Sequence, residues 1–584
     1  SPGSPKSHLC KAMGVVQSCK AEEAISNVKS NVHRCYFPMW AVRVSDFLEM
    51  SGPPEPHEVL QDKGLLHRYD PSMFVIFVSH QWLSSEHPDP KGQKLKIFQE
   101  TLLGMIDESL PVAEDVVSRS DDKNLSSEMR RHIADGFIFF DWFSIPQKSR
   151  KHEGNPNNGA ALAVRSIPAY VELSSLFIAL VPELTHKESP ELVNYATWLS
   201  RGWCRAELWC RLLSNKLDTS IIVVYSATET EFLSPLDWHN RSIVEGEFTV
   251  EADRKAVVRL GEVAVESKIR HLQEHGYRFY TALRPQLLCK ERKDQSVDEF
   301  LQRFCYDSWD AALQDSSGMN AVMCAVMSGD TKMLKLLAQC RADMNHTLQG
   351  MGDLGYYDTQ TVLMAATKSQ QHPSVLQTLI ELEADVNARA RTGLVALYMC
   401  RSPNHVKVLL EHRAEMPHFV MTGVASFACP ETVQALLSFR CDPNQTGDPS
   451  SGPGFGPLHA VALFSRRNRR AVATAKLLLE HRADINARKE ISGILMRQHL
   501  HARAHLAVYG FASCNMVLRL RGSMAGLSPL GYAAMVGHEG LTKLYLEHGA
   551  DPMPNDRGDT PADLARNNHH YHLLPFLEVS SVPL

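Results

Sequence analysis

The stretch "WLSRGWCRAELWCRLLS", Trp198 to Ser214, places Glu207 three residues beyond the pair Trp203–Cys204, in an apolar run broken by three arginines. A carboxylate in that setting has two readings. On the outer face of a helix it pairs with Arg201, Arg205 or Arg211, all within two turns. Held in a pocket, it is an acid available for chemistry. Two further stretches bring reactive residue types. "VSHQW" carries Ser79, His80 and Trp82, and "FFDWF" carries Asp141, Trp142 and Phe143. Ser, His and an acid match a hydrolytic triad in composition, but a serine and a histidine adjacent in sequence do not readily adopt nucleophile–base geometry, so that reading is rejected. Cys204 has no evident base partner, and Trp203 and Cys204 read as packing residues.

These residues need elements to position them. Four apolar runs read as buried strands: 73–80, 136–143, 174–181 and 219–226. Helical patterns fall between them, in "GQKLKIFQETLLGMIDESL", "AALAVRSIPAYVEL" and "YATWLSRGWCRAELWCRLL". Short continuous apolar strands alternating with helices imply an α/β domain whose parallel sheet is covered on both faces. Ligands of such sheets sit at the carboxyl ends of the strands. Ser79, His80 and Trp82 fall at one such end, and Asp141, Trp142 and Phe143 at another, so these side chains fit a pocket rim.

"FVIFVSHQW", "FFDWFSIPQ", "SIPAYVELSSLFIALV" and "SRGWCRAEL" occur in that order. Together they resemble the Toll/interleukin-1 receptor (TIR) domain, a flavodoxin-type α/β fold, and also the fungal heterokaryon-incompatibility (HET) domain. The resemblance covers about 70–226. It implies that Glu207 is the catalytic residue of NAD glycohydrolysis, with NAD as substrate and no resident cofactor. A carboxylate there would stabilise the oxocarbenium-like charge that develops when the nicotinamide–ribose bond breaks. Ser79, His80, Trp82, Asp141 and Trp142 would form the rim, with Trp82 or Trp142 stacking on the nicotinamide ring. The segment "SIPQKSRKHEGNPNNG" would lie over the pocket as a lid. The resemblance also implies self-association, since many TIR domains are adaptors. "SHQW" departs from the more usual S-Y or S-F of the first strand end, and no Gly-rich phosphate loop is present.

The C-terminal half repeats one phrase: "LLAQCRADMN", "LIELEADVN", "LLEHRAEM", "LLSFRCDPN", "LLLEHRADIN" and "YLEHGADPM". Its acids fall at Asp343, Asp385, Glu415, Asp442, Asp484 and Asp551, in steps of 42, 30, 27, 42 and 67 residues. They scatter around one unit of about 33 residues, the last step being near two. With "GPLHAVA" and "DRGDTPADLA", the pattern resembles the ankyrin repeat, over roughly 315–575. Leu336, Leu337, Leu479 and Leu546 are expected on stacked inner faces. Gly or Asn after each helix is expected to form a left-handed cap, and the repeat aspartates to bond the turn backbone. The units near 416–430 are degenerate. The segment 488–525 is either an eroded repeat or an excursion, and its alternation around Val508 and Val517 allows a strand hairpin. Ankyrin arrays, as the resemblance implies, bind protein partners.

The remaining features are plainer. Residues 1–70 read as an extension packed on the α/β domain, 71–226 as that domain, 227–314 as a helical connector and 315–575 as six or seven repeats. The basic cluster "SRRNRR", 465–470, reads as a solvated loop, with an acidic partner as the alternative. His499, His501 and His505 lack an acid or cysteine to complete a metal site. The chain has 584 residues, 44% apolar and 22% charged, with a net charge of -5. That balance points to neither nucleic acid nor membrane. No apolar run reaches the roughly 18 to 20 residues of a membrane span. The start lacks an apolar signal core and reads as processed or truncated. Thirteen cysteines without a C-x-x-C pair point to a reducing compartment, cytoplasm by default or nucleus. The sequence therefore supports two functions: an interaction scaffold acting through its repeats, and an NAD-cleaving enzyme using Glu207.

Overall fold

The computed structural model describes residues 35–114, 124–147, 159–189, 192–216, 218–233, 242–272, 274–290, 295–427, 429–447, 452–511 and 513–578. The proposed lid falls largely at 148–158, outside the described residues.

Among the described residues ten strands run in chain order: β1 (Trp40–Arg43), β2 (Leu66–Arg68), β3 (Val75–His80), β4 (Val112–Glu114), β5 (Phe137–Phe140), β6 (Leu176–Leu180), β7 (Leu184–Thr185), β8 (Leu192–Val193), β9 (Ile221–Ser226) and β10 (Glu229–Phe232). β7 and β8 pair separately, and the other eight form one sheet in the order β2-β1-β5-β3-β6-β9-β10-β4. The central set β5-β3-β6-β9 is parallel, as expected from its apolar runs. The sheet as a whole is mixed, which corrects the expectation of a parallel one. β1 runs antiparallel to both β2 and β5, and β10 antiparallel to β9. The sheet also crosses both expected boundaries, since β1 and β2 come from before residue 71 and β10 from after 226. "WAVR", "LHR" and "ETEF" are too short and mixed to announce strands by pattern alone.

Both faces of the parallel set are buried, which explains its continuous apolar runs. Val75, Phe77, Phe139, Phe177 and Val223 enter one core cluster with Trp198 and Trp209. Ile76, Val78, Ile138, Phe140, Ile178 and Ile222 enter the other with Phe98 and Leu102. Phe77 stacks on Phe139 and Phe177 at ring-centre distances of 4.9 and 5.3 Å.

After β10 come the helices Asp253–His271, Glu274–Leu287, Val297–Phe304 and Trp309–Gln314, and then stacked helix pairs to Leu577. Leu337 is fully buried, whereas Leu336, Leu479 and Leu546 are only partly buried; in the last two units Leu478 and Tyr545 take the inner position. The repeat turns are tied into a ladder. Asp343 Oδ1 accepts from the Asn345 amide at 2.8 Å, and Asn345 Oδ1 accepts from the Asp385 amide of the next unit at 2.7 Å. Asn387 does the same to Glu415 at 2.7 Å, Asn444 to Asp484 at 2.6 Å and Asn486 to Asp551 at 2.8 Å. The last rung joins units separated by the 488–525 segment. The helices Pro457–Leu463 and Pro529–Val536 on either side of that segment pack directly on each other. The segment itself is a pair of helices, Gly493–Tyr509 and Met516–Ser523, where alternation had allowed a strand hairpin.

The left-handed residue that closes each unit's second helix differs from the expected Gly or Asn. It is Arg341, Glu383, Arg413, Arg440 and Arg482 in successive units, with φ of 62°, 68°, 62°, 62° and 65°, and Gly only at Gly549. A side chain in that conformation costs about 1 kcal/mol or more. The neighbouring hydrogen-bonded ladder holds it there. Arg482→Gly is therefore expected to raise the stability of the stack by about 0.5–1 kcal/mol, and Asn486→Ala to lower it by about 1–2 kcal/mol. Denaturant titration of both variants checks the pair, and equal and opposite signs to these would overturn the ladder as a stabilising device.

Candidate functional site

The pleat of β3 decides where its last two side chains go. Successive residues of a strand point to opposite faces. Ser79 shares a face with Val75 and Phe77, and His80 shares the other with Ile76 and Val78. Both residues are buried. Each must therefore find polar partners inside the protein.

On the first face, Ser79 Oγ donates to Glu207 Oε2 at 2.5 Å and accepts from Trp198 Nε1 at 3.0 Å. Glu207 stands on the helix Gly202–Leu212. That helix begins in a tight clasp: the Gly202 amide donates to the Glu247 carbonyl at 3.0 Å and the Glu247 amide to the Ser200 carbonyl at 2.8 Å. A Cβ on Gly202 would lie 2.0 Å from the Phe248 ring, so only glycine allows this approach. The three arginines that could have paired with Glu207 are engaged elsewhere. Arg205 bonds the carbonyls of Leu199 and Ser242, both at 2.7 Å. Arg211 bonds those of Ser174, Ser175 and Ser220, and Arg201 bonds Thr249. Burial, opposed by the Ser79 hydrogen bond and reinforced by the charge of Asp141, pushes the Glu207 carboxyl up to about 8. At neutral pH it is mostly protonated.

On the second face, Asp141 gathers the other residues. Its Oδ1 meets His80 Nε2 at 2.9 Å and its Oδ2 accepts from Trp82 Nε1 at 2.8 Å. The His80 ring stacks on Phe140, with centres 4.0 Å apart. Burial lowers the His80 pKa despite the opposing pull of Asp141. Trp142 packs edge-on against Trp82 and donates to the Pro54 carbonyl at 2.8 Å. The structure thus brings Ser79 to Glu207, and His80, Trp82 and Trp142 to Asp141, as two adjoining networks. A cavity of about 290 Å³ opens beside them, lined by Gln81, Trp82, Thr197, Arg201 and Glu247. Ser79, Glu207, Asp141 and Trp142 are not part of that lining.

Sequence reasoning passed over three residues of the site. Trp198 orients Ser79. Lys94 is fully buried, donates to the Gln81 carbonyl, and has its ammonium lowered to about 8 by burial, against the pull of Asp89. Asp89, three residues ahead of Gly92 at the start of the helix Gln93–Ile106 that carries Lys94, accepts from the amides of Gln93 and Leu95 at 2.9 Å each. "DPKG" ahead of an apolar helix is the one signal that could have pointed to this contact.

A second, larger cavity of about 600 Å³ lies between the sheet ends and the repeats, lined among others by Val181, Tyr225, Glu229, Arg466, His538 and His570. Here the basic loop 465–470, read as solvated, finds acids of its own chain. Arg466 grips Glu229 through two hydrogen bonds of 2.6 and 2.9 Å. Arg467 lies 3.8 Å from Glu231, and Arg469 bonds Glu247 at 2.7 Å. Burial alone would raise the Glu229 carboxyl, but Arg466 and His570 hold it down at about 2.

The Glu207 shift fixes a pH dependence. The unfolded carboxyl ionises near its ordinary value, while the folded one keeps its proton up to about 8. The unfolded state therefore binds fewer protons between these values, and stability falls as pH rises through that window. Glu207→Gln is expected to flatten this fall and to gain on the order of a few kcal/mol over the native chain at pH 8. Denaturant midpoints measured from about pH 5 to 8 check it, and parallel curves for the two proteins would sink it.

The family model described as Ankyrin repeats (3 copies) matches residues 286–390, and that described as Ankyrin repeat matches 454–490. The first match begins ahead of 315, where the repeated phrase becomes visible. Neither match extends into the α/β domain, and no curated protein matches the chain significantly. Among solved structures, the human ASB11 ankyrin repeat domain aligns at 19% identity and a TM-score of 0.31, covering 45% of this chain and 98% of that one. The ankyrin repeat domain of Bcl-3, described as a unique member of the IkappaB protein family, aligns at 22% identity and a TM-score of 0.30, covering 44% and 99%. The C-terminal half of the chain carries ankyrin repeats.

Proposed function

We infer that the protein is an interaction scaffold whose ankyrin surface recruits a protein partner. The observation that carries this reading is the repeat stack itself, matched by family models and held by its ladder of turns, with side chains exposed at its edge. Tyr357, 45% exposed in the long turn between the first two units, and Met553, 51% exposed in the last turn, are the anchors of the kind that dominate such contacts. Placement in the cytoplasm or nucleus belongs to the same reading, since the described cysteines are free thiols. Affinity capture of the full chain after cross-linking in its own cells tests it. A defined partner set should be lost with Tyr357→Ala/Met553→Ala and kept with Glu207→Gln. Capture indifferent to the turn substitutions would overturn the assignment to this surface.

A second reading gives the α/β domain a TIR-like identity and NAD glycohydrolase activity. The parallel strand order, with the second strand of the set beside the first and the third and fourth on its other side, supports that kinship. Glu207 free of arginine partners and bonded to Ser79 supports the chemistry. In this reading Glu207, which lies behind the lining of the cavity, has to be uncovered to act as a carboxylate against the developing ribosyl cation, Ser79 and Trp198 fix its orientation, and Trp82 lines the cavity where a planar cation can rest. The ionised form is required, so nicotinamide release should rise with pH through about 8 and vanish in Glu207→Ala. Incubation with NAD across that range decides it. No release at any pH, at concentrations high enough for self-association, would leave Glu207 a packing residue.

A further inference from the structure

The helix Gly493–Tyr509 stands outside the repeat stack, since the units on either side of it pack on each other. It lies against Met516–Ser523 with His499, Ala502 and Leu506 buried, three positions on one face. Its opposite face is apolar too. Met496, Leu500 and Val508 fall at steps of four and eight and are 38%, 57% and 74% exposed, and Ile494 and Tyr509 extend the surface at 71% and 62%. A helix apolar on both sides is a buried helix in an ordinary globular protein. Here one side has no protein on it among the described residues.

Charge says what covers it. From residue 491 to 538 there is no Asp or Glu, and the four charged side chains are Arg497, Arg503, Arg519 and Arg521. Arg519 is buried and bonds Asn568 at 2.9 Å. Arg497 and Arg503 are exposed beside the apolar stripe. Among the described residues neither has an acid partner, in contrast to Arg389, Arg470, Arg488 and Arg566, which are paired with acids. A second copy of the chain on this face would set arginines against arginines with no carboxylate to separate them. A protein groove would have to supply an acid opposite each arginine and receive a helix whose back is already packed.

We propose that this face docks on an anionic lipid surface. A fluid layer of acidic headgroups gives phosphate and carboxylate to Arg497 and Arg503, hydrocarbon to Leu500 and Val508, and a boundary for the amphipathic ring of Tyr509, without needing a matching shape. The helix lies along the surface. No described helix is long and apolar enough to cross a membrane, so the contact is peripheral. It would bring the repeat stack, and whatever the stack recruits, to that surface.

Sedimentation of the full chain with vesicles tests this, using phosphatidylcholine alone and phosphatidylcholine with about one-third phosphatidylserine. The chain should sediment with the phosphatidylserine vesicles and release as salt rises. Leu500→Asp/Val508→Asp should weaken this at least about tenfold, and Arg497→Gln/Arg503→Gln should abolish the preference for phosphatidylserine. All four positions are exposed, so unchanged thermal unfolding will show that the fold is intact, and Leu500→Ser serves as a milder second variant. No sedimentation, or sedimentation indifferent to Leu500→Asp/Val508→Asp, would overturn the proposal. So would a concentration-dependent dimer that the same variant disrupts without vesicles, which would assign the face to a second copy.

Discussion

β3 is covered on both faces, and this constraint organises everything around it. A strand covered on both faces offers no side to water, yet β3 ends in Ser79 and His80. The pleat sends them apart, and each draws a polar network into the interior, with His80 bonded through Nε2 while its buried Nδ1 has no partner among the described residues. Ser79 fixes Trp198 and Glu207 at the base of one helix, and His80 fixes Asp141 and through it Trp82. The same geometry that rejects a Ser–His pair in sequence produces two separate acids, one held neutral by burial and one kept beside a histidine and an indole. Two carboxyls in contrasting environments are the arrangement that acid–base chemistry uses, and equally the arrangement that a rigid interior needs.

The repeats close over the same end of the sheet. Arg466 reaches across 237 residues of sequence to Glu229, and Arg469 reaches Glu247, whose backbone clasps the first turn of the Glu207 helix. The buried Arg466–Glu229 pair contributes less by attraction than by penalty: with either partner removed, the other is left charged without water, which costs about 3–5 kcal/mol. The two halves are thus joined by contacts that favour one docking geometry. The loop 465–470 is also tied, through the exposed Arg469–Glu247 pair, to the backbone clasp at Gly202, where a Cβ would meet the Phe248 ring.

What was legible in the sequence follows from these physics. The four parallel strands and the repeat phrase were visible because two-sided burial writes continuous apolar runs and stacking writes a period. β1, β2 and β10 were not, because a three- or four-residue edge strand such as "LHR" has too few positions to show alternation. The segment 488–525 allows a hairpin by its sequence because the apolar residues of the helix Gly493–Tyr509 surround it and leave no helical period. Of the site, Ser79, His80, Trp82, Asp141 and Glu207 were found as strand-end and helix residues, but their partition between two faces needed the register of β3. Lys94 looks like any helix lysine until its burial is known. The engagement of Arg466 by Glu229 is a contact that no local pattern encodes.

The left-handed arginines of the repeats show the same point from the other side. A glycine at Arg341, Arg413, Arg440 or Arg482 would be the local optimum, and the local rule predicted it. The unit instead carries the strain and offsets it with a bond from the preceding unit: Asn345 donates to the carbonyl of the left-handed Glu383 and accepts from the Asp385 amide. Each turn therefore depends on its neighbour for its conformation, and the stack couples unit to unit through hydrogen bonds as well as apolar burial. The Asn486–Asp551 rung explains how the chain tolerates the excursion between them. Once the ladder spans the insertion, the inserted helices carry no part of the stack's register, and their outer face is free to follow a different constraint.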